Sequence, residues 1–557
     1  MHVDQTPRPI LELSQNWGLG RDDVEPYGWF KAKLAPNLWT RLPASRARYI
    51  NVTAVTPTPL GEGKTVTAIG LALGLCRLGL RAVVTLRQPS LAPVFGIKGG
   101  GAGGGRAVLL PQDDINLHFT GDLHAVAAAH NLLAALIDNH VRRGLIPVVQ
   151  PESVKWRRVL DVCDASLAHI ITGLGLDSAA ALRETGFDLT AASELMAILS
   201  LAASWEELRE RLGRIVVGSS ADKRPVTTSD LGCAGALAAL LRDAFRPNLV
   251  QTSEQTPALV HTGPFANIAH GNSSVVADLA AVRLADYVVT ESGFGADCGA
   301  EKFFHIKCRA SGLRPDCEVL VCTVRALKYQ SGRYEVRPGR PLPDALFRED
   351  LEALQLGAAN LQAHLDILRK FGLPVVVAIN RFPEDSQREL ETIQQLAGEA
   401  GAAAVAVSDA FARGSDGAME LAEAVRISAD QPRDFHPLYA VEAPPEQKIE
   451  TIAREVYGAD GVDFTLAARK ALDKFAAWGY AHLPVCIAKT QYSLSHDPQR
   501  RGRPRGFRLP IQDVRLSAGA GYLYALAGDI KTMPGLPLSP AANRIDVDAH
   551  GAIIGLR

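Results

Sequence analysis

Tyr49-Ile50-Asn51-Val52-Thr53-Ala54-Val55-Thr56-Pro57-Thr58-Pro59-Leu60-Gly61-Glu62-Gly63-Lys64-Thr65 decides the fold class of this chain. Residues 49–55 form a β-branched, mostly apolar run, the pattern of a strand covered on both faces. Residues 56–63 hold two prolines and two glycines, so neither a strand nor a helix continues through them. From Lys64 an apolar-periodic helix is expected to run to about Leu80. A strand, a glycine-bearing turn and a helix N-terminus in that order make a phosphate-binding loop, because the turn and helix amides point at phosphate oxygens. Thr58, Pro59, Leu60, Gly61, Glu62, Gly63, Lys64 and Thr65 are the candidate nucleotide-binding residues. Lys64 would reach the outer phosphates and the Thr65 hydroxyl would help to hold Mg²⁺. The first glycine of the GxxxxGK[ST] pattern is Thr58 here, so the strict pattern is missed by one residue.

Outward from this loop, short apolar runs alternate with helical patterns. Strands are expected at 81–86, 258–261, 286–291, 319–324, 374–379 and 403–407, with helices at 349–369 and 386–399. That alternation predicts a P-loop NTPase-like α/β core with a parallel sheet. Helices at 123–141 and 193–212 dominate a stretch with few strong strands, read as a mainly helical insertion. Short strands and Pro-rich turns after 455 suggest a small C-terminal α+β domain. The expected divisions are 1–112 (first part of the core), 113–240 (insertion), 241–454 (core continuation) and 455–557.

Composition narrows the partners. The chain has 557 residues, with 59 Lys and Arg against 60 Asp and Glu. This balance argues against whole-chain attraction to nucleic acid or an anionic membrane. No apolar run approaches membrane-spanning length, and Met1-His2-Val3-Asp4 lacks the pattern of a signal peptide. Eight cysteines without a CxxC pair fit reduced thiols and a cytoplasmic location.

Three further segments carry chemistry. Arg87-Gln88-Pro89-Ser90-Leu91-Ala92-Pro93 begins at the end of the strand after the loop helix, where open α/β sheets bind ligands. Arg87 is placed there to hold a second anion, and the glycines of 99–105 allow close approach or lid motion. His118-Phe119-Thr120-Gly121-Asp122-Leu123-His124 has three readings: a metal site, a helix start with Asp122 as N-cap, or a substrate pocket. After the strand at 286–291, either Glu291 or Asp297 is placed to support Mg²⁺.

These segments, with Gly263-Pro264-Phe265-Ala266-Asn267-Ile268-Ala269-His270-Gly271, Gly299-Ala300-Glu301-Lys302-Phe303-Phe304, Ala488-Lys489-Thr490-Gln491-Tyr492-Ser493 and Gly528-Asp529-Ile530-Lys531-Thr532-Met533-Pro534-Gly535, resemble formate–tetrahydrofolate ligase, in order over essentially the whole chain. The resemblance implies a homotetramer that uses ATP with Mg²⁺ to formylate N10 of tetrahydrofolate through formyl phosphate. It assigns Lys64 and Arg87 to catalysis and places the pterin between two aromatic rings, at Phe382 and Phe411. Ser, His or Cys nucleophiles are not required by such chemistry.

The chain departs from the family pattern at several positions. Gln88 replaces a Glu that the family links to a monovalent cation, which puts cation activation in doubt. Ala92 replaces a Gly, and Phe411 replaces a Trp. Asn272-Ser273-Ser274 stands for Cys-Asn-Ser, and His305 for an Asp. Gln255 and Thr262 each stand for a Gly. Besides an ordinary ligase with a retuned site, two alternatives are a paralogue acting on another small carboxylate or amine, and a nucleotide-binding protein with little turnover.

Overall fold

The computed structural model describes residues 6–44, 47–96, 100–175, 182–336, 342–528 and 530–556. The glycine run is therefore described from Gly100 onward, and Asp529 of the quoted C-terminal segment lies outside the described residues.

A twelve-stranded mixed sheet forms the centre. Its main strands in chain order are β1 (Val24–Pro26), β2 (Ala32–Leu34), β3 (Arg48–Ala54), β4 (Ala82–Leu86), β5 (Asn248–Thr252), β6 (Pro257–Val260), β7 (Tyr287–Glu291), β8 (Cys317–Cys322), β9 (Val375–Asn380) and β10 (Ala404–Ser408). In space they run β1-β2-β5-β6-β4-β7-β3-β8-β9-β10. From β6 to β10 every neighbouring pair is parallel. The sheet is not wholly parallel, however, because β1, β2, β5 and β6 pair antiparallel at one edge. The two outermost strands, β1 and β2, are three residues each, so they lack the long apolar run that marks a covered parallel strand.

Seven helices matter below. They are α1 (Lys64–Arg77), α2 (Leu91–Phe95), α3 (Asp122–Arg143), α4 (Glu194–Leu201), α5 (Trp205–Arg214), α6 (Leu351–Arg369) and α7 (Gln387–Glu399). α1 follows β3 directly, and its Ala68–Leu73 stretch is buried against the sheet. The single helix expected at 193–212 is two. Ser193 caps α4 by accepting from the Met196 amide, and Ser204 caps α5 by accepting from the Glu207 amide. Ala202 is extended between them, and the second cap restarts the chain in a new direction.

Beyond 455, a three-stranded sheet joins Val485–Ala488, Tyr522–Leu526 and Asp513–Ser517, and a separate pair joins Gly461–Phe464 to Arg508–Ile511. No described helix is long and apolar enough to cross a membrane.

Candidate active site

The carboxyl ends of β3, β4 and β7 lie side by side because β7 pairs with both β3 and β4. β3 leads into the turn before α1. Gly61 (φ +76°) and Gly63 (φ +73°) give that turn left-handed geometry that a side chain would strain. A Cβ on Gly63 would also strike the Asn380 amide. Asn380 ends β9 and donates to the Glu62 carbonyl at 3.2 Å. The Glu62 carboxylate bends back to accept from the Thr58 amide at 2.6 Å, while the Leu60 amide donates to the Thr58 hydroxyl at 3.1 Å. Thr58, in the place of the usual glycine, thus closes the turn through its own side chain. Pro59 and Gly61 remain exposed.

At the start of α1, the Thr65 hydroxyl donates to Glu291 Oε2 at 2.8 Å across 226 residues. Glu291 is the last residue of β7, and its other oxygen lies 3.9 Å from Arg87 Nη2. Arg87 Nη1 donates to the Pro264 carbonyl at 3.1 Å. Burial lowers the Arg87 pKa from its usual value, and Glu291 opposes that shift. The half-buried Lys64 ammonium has no hydrogen-bond or ion-pair partner among the described residues. Arg87 and Glu291 therefore meet at the hydroxyl-bearing first turn of α1, the turn that also carries Lys64. Opposed charges held this way suit an anionic ligand with a hard cation.

Of the two acids read from sequence as a metal support, the geometry separates one from the other. Asp297 is fully buried in an ion pair with Lys489 at 2.6 Å. Lys489 in turn donates to the Thr490 and Ser493 carbonyls. Glu291 alone of the two meets Thr65.

Within the His118–His124 segment, Thr120 and Asp122 are tied into the fold. Gly121, not Asp122, is the N-cap of α3, with φ +88°, and Asp122 is the first helical residue. Its carboxylate is buried against Lys33 at 2.7 Å and accepts from Asn248 Nδ2 at 2.7 Å. His118 and His124 are exposed. Among the described residues no group of three or more His, Cys, Asp or Glu side chains could hold a metal ion.

Phe382 and Phe411 follow β9 and β10, whose ends are in register at Asn380 and Ser408. Both rings therefore sit at the same carboxyl edge as the charged cluster, two and three strands along. They do not touch each other, and no pair between them occurs among the aromatic contacts of the described residues. Phe382 carries the Arg325 guanidinium on one face, 3.8 Å from its centroid. Phe411 is 55% exposed and lies beside Gly104 and Gly105 of the glycine run, where a Cβ would press on the ring. Its carbonyl accepts from the Arg106 amide at 2.8 Å. Arg325 was not legible in the sequence, since nothing in Thr323-Val324-Arg325 marks a residue that will cover a ring 57 positions later.

The chain matches the formate–tetrahydrofolate ligase family over residues 1–557. It belongs to that family. It is 55% identical over 550 residues to the formate–tetrahydrofolate ligase of Roseiflexus sp. (strain RS-1), covering 99% of this chain and 98% of that protein. The corresponding protein of Saccharopolyspora erythraea is 54% identical over 550 residues, with 99% and 97% covered. That of Desulforamulus reducens is 50% identical over 549 residues, with 98% and 97% covered.

Set against the formate–tetrahydrofolate ligase pattern, the departures have local structural solutions. Gln255 (φ +62°) and Thr262 (φ +53°) both occupy left-handed backbone where that pattern has glycine. For a β-branched residue such as Thr262 this is a strained placement. His305 is fully buried, and the Leu438 amide donates to its Nε2 at 3.0 Å. An amide only donates, so Nδ1 carries the proton and donates to Glu301 Oε1 at 2.7 Å. The imidazole is thus a neutral bridge that also stacks on Tyr439.

Asn272 donates to the Glu291 carbonyl at 3.2 Å and to the Ser292 hydroxyl at 2.8 Å. It therefore supports the β7 end that bears Glu291. His270 beside it is pushed down to about 3, by burial first and by the Lys307 charge second, and is neutral. Gln88 is buried, with its amide held by the Thr262 carbonyl at 2.6 Å. Its side-chain Oε1 is buried without a partner among the described residues.

Proposed function

We propose that this chain is an ATP-dependent ligase. It activates formate as formyl phosphate and passes the formyl group to N10 of tetrahydrofolate, giving 10-formyltetrahydrofolate, ADP and phosphate. The observation that carries this reading is the meeting of Thr65, Arg87 and Glu291 at the ends of adjacent strands, beside Lys64 at the start of α1.

Residues 58–65 would cradle the ATP phosphates, with the Lys64 ammonium meeting the transferring phosphoryl group. Thr65 and Glu291 offer the hard oxygen donors that Mg²⁺ prefers. Mg²⁺ bound there would neutralise charge on the phosphate oxygens. The Arg87 fork would hold formate and then the mixed anhydride. The formate oxygen forms a bond to the γ-phosphorus as the bond to ADP breaks. The N10 amine then attacks the formyl carbon, phosphate leaves, and the amine proton is lost. Both steps need positioning and charge stabilisation rather than a protein nucleophile.

Phe382 and Phe411 would hold the pterin by stacking. Gln88, with its unpartnered carbonyl oxygen, would be a neutral and weak ligand for a monovalent cation. The family match over the whole chain does not favour the alternatives of another carboxylate or of a non-turning nucleotide binder.

The division into 1–112 plus 241–454 as one core, with 113–240 inserted and 455–557 added, is part of this reading. It is supported by the main sheet strands, which all come from the first two segments. A P-loop NTPase-like core is supported by the β3–turn–α1 geometry and by the acid on the neighbouring strand. A homotetramer is supported by exposed apolar side chains on the insertion, Ile146, Leu174 and Leu182. A cytoplasmic location is supported by eight unpaired cysteines. ADP release measured with and without formate and tetrahydrofolate tests the function. Release that requires both substrates supports it, and release indifferent to formate contradicts it.

A further inference from the structure

Three residues beyond Arg87, the chain is gripped from a distant segment. Ser90 caps α2, its hydroxyl oxygen accepting from the Ala92 amide at 3.3 Å. That hydroxyl donates to Asp161 Oδ1 at 2.7 Å, and the Leu91 amide donates to Asp161 Oδ2 at 2.9 Å across 70 residues. Both oxygens of one carboxylate are committed to the same turn.

Asp161 directly follows the strand Arg158–Leu160, which pairs parallel with Phe187–Leu189. Leu189 packs with Ala92 and Met533, and the Ala541 amide donates to the Gly96 carbonyl at 2.8 Å. On the near side, the Gln88 amide is fixed to Thr262 of the core. The turn 87–90 is thus pinned to the sheet at one end and to the insertion at the other, with Pro89 alone between the two attachments.

We propose that Asp161 is a positioning residue for formate activation: by holding Ser90 and Leu91 it fixes the turn that aims the Arg87 guanidinium.

This rests on the reading of Arg87 as the group that holds the carboxylate. Asp161 carries no substrate contact and acts through the turn.

Burial disfavours the charge that this grip uses. Burial pushes Asp161 up to about 6, and the Leu91 amide and Ser90 hydroxyl draw it partly back. The arginines on the neighbouring strands are engaged elsewhere. On the preceding strand and its partner, Arg157 pairs with Asp188 at 3.1 Å and Arg158 with Asp138 at 2.7 Å. Arg183 pairs with Asp138 at 2.5 Å. On Asp161's own segment Asp164 accepts from the Ser166 amide, and the Cys163 thiol is itself pushed up by burial and by Asp161. Lys531 and Arg544 belong to the C-terminal segment, and Arg87 and Glu291 lie across the turn.

The carboxyl's folded value lies above its ordinary 3.8. Its ionisation therefore opposes folding as pH rises through about 6, and the ionised form is the one that accepts both donors. Function and stability pull in opposite directions at this residue, as at other sites where the fold holds a group in an unfavourable state.

The test measures kcat, KM for formate and KM for ATP from about pH 5 to about pH 9, in the parent, Asp161→Asn, Ser90→Ala and Arg87→Lys. The parent is expected to lose kcat/KM for formate on the acid side with a midpoint near 6. Asp161→Asn should lie on a low plateau, about tenfold or more below the parent at pH 8, without that acid limb and with KM for ATP unchanged. Its melting temperature at pH 8 should equal or exceed the parent's, since a buried charge has been removed. Ser90→Ala keeps the Leu91 bond, so it should fall between the two and keep the limb.

An Asp161→Asn enzyme with parental formate kinetics and an intact limb overturns the proposal. So does one that loses melting temperature and ATP affinity together, which marks a folding role only. Parental formate kinetics in Arg87→Lys would instead remove Arg87 from carboxylate binding, and the proposal with it. That failure is separately visible because it appears in the Arg87 variant.

Discussion

The charged and the aromatic halves of the proposed site stand on one edge of one sheet, yet they are held in different ways. At β3, β4 and β7 most of the side chains proposed to act are fixed by partners, Thr65 to Glu291, Arg87 to the Pro264 carbonyl and Glu62 to the Thr58 amide, while Lys64 is left without one among the described residues. At β9 and β10, Phe382 is backed by one guanidinium and Phe411 stands more than half exposed. Phosphoryl transfer demands charges set in place before reaction, whereas stacking tolerates sliding. The departures fall on both halves, with Gln88, Thr262 and Asn272 around the charged cluster. Lys64, Thr65 and Arg87 match the family pattern, and the aromatic half exchanges a Trp for Phe411.

The comparison breaks first if Lys64 proves dispensable. Lys64→Ala should keep the fold and lower kcat by on the order of 10²-fold or more, read as formate-dependent ATP turnover. Next in size is Arg87→Lys, which keeps the charge and loses the fork. Its kcat/KM for formate should fall about tenfold, with ATP binding by calorimetry unchanged.

On the aromatic side the effects should be milder. Phe411→Ala should raise KM for tetrahydrofolate by roughly three- to tenfold, in keeping with about 0.5–1.5 kcal/mol for an aromatic contact. Its melting temperature should stay at the parental value because the ring is exposed. Phe411→Trp should lower that KM. A large kcat loss in Phe411→Ala, equal to that of Lys64→Ala, would erase the distinction between the halves.

Gln88 belongs to the charged half, next to Arg87, yet its side-chain oxygen has no partner among the described residues. At constant ionic strength potassium should activate the parent weakly, and Gln88→Glu should make the activation stronger and saturable at lower concentration. Indifference of both proteins to potassium would show that no cation is held there.

The smallest effect concerns backbone. Gln255→Gly should raise stability to chemical unfolding by up to about 1 kcal/mol, because it relieves a left-handed placement. The greater chain entropy of glycine when unfolded offsets part of that gain. A lower unfolding midpoint would contradict the strain argument.

What was legible in the sequence was what is contiguous. β3, its turn and α1 follow one another, and a parallel strand covered on both faces announces itself as an unbroken apolar run. β1 and β2 are three residues each, too short to carry a period, and the antiparallel edge they form was missed. The break at Ser204 was written in Ser204-Trp205-Glu206-Glu207, a helix-start signal masked by apolar residues on both sides. Of the pairings over long separations, Thr65 with Glu291 was half legible, since the end of the strand at 286–291 offered Glu291 or Asp297 without separating them. Asp161 with Leu91 and Arg325 with Phe382 had no local signal, because only the folded chain brings those segments together.

The central claim is that a formate oxygen attacks the γ-phosphorus at the Lys64–Arg87 end of the sheet. Turnover of ¹⁸O-labelled formate with ATP and tetrahydrofolate, followed by mass analysis of the released phosphate, tests it most directly. The account predicts one formate-derived oxygen in the phosphate of each turnover, with the transfer reduced in parallel with turnover in Lys64→Ala. Phosphate free of label, with 10-formyltetrahydrofolate still formed, would contradict it.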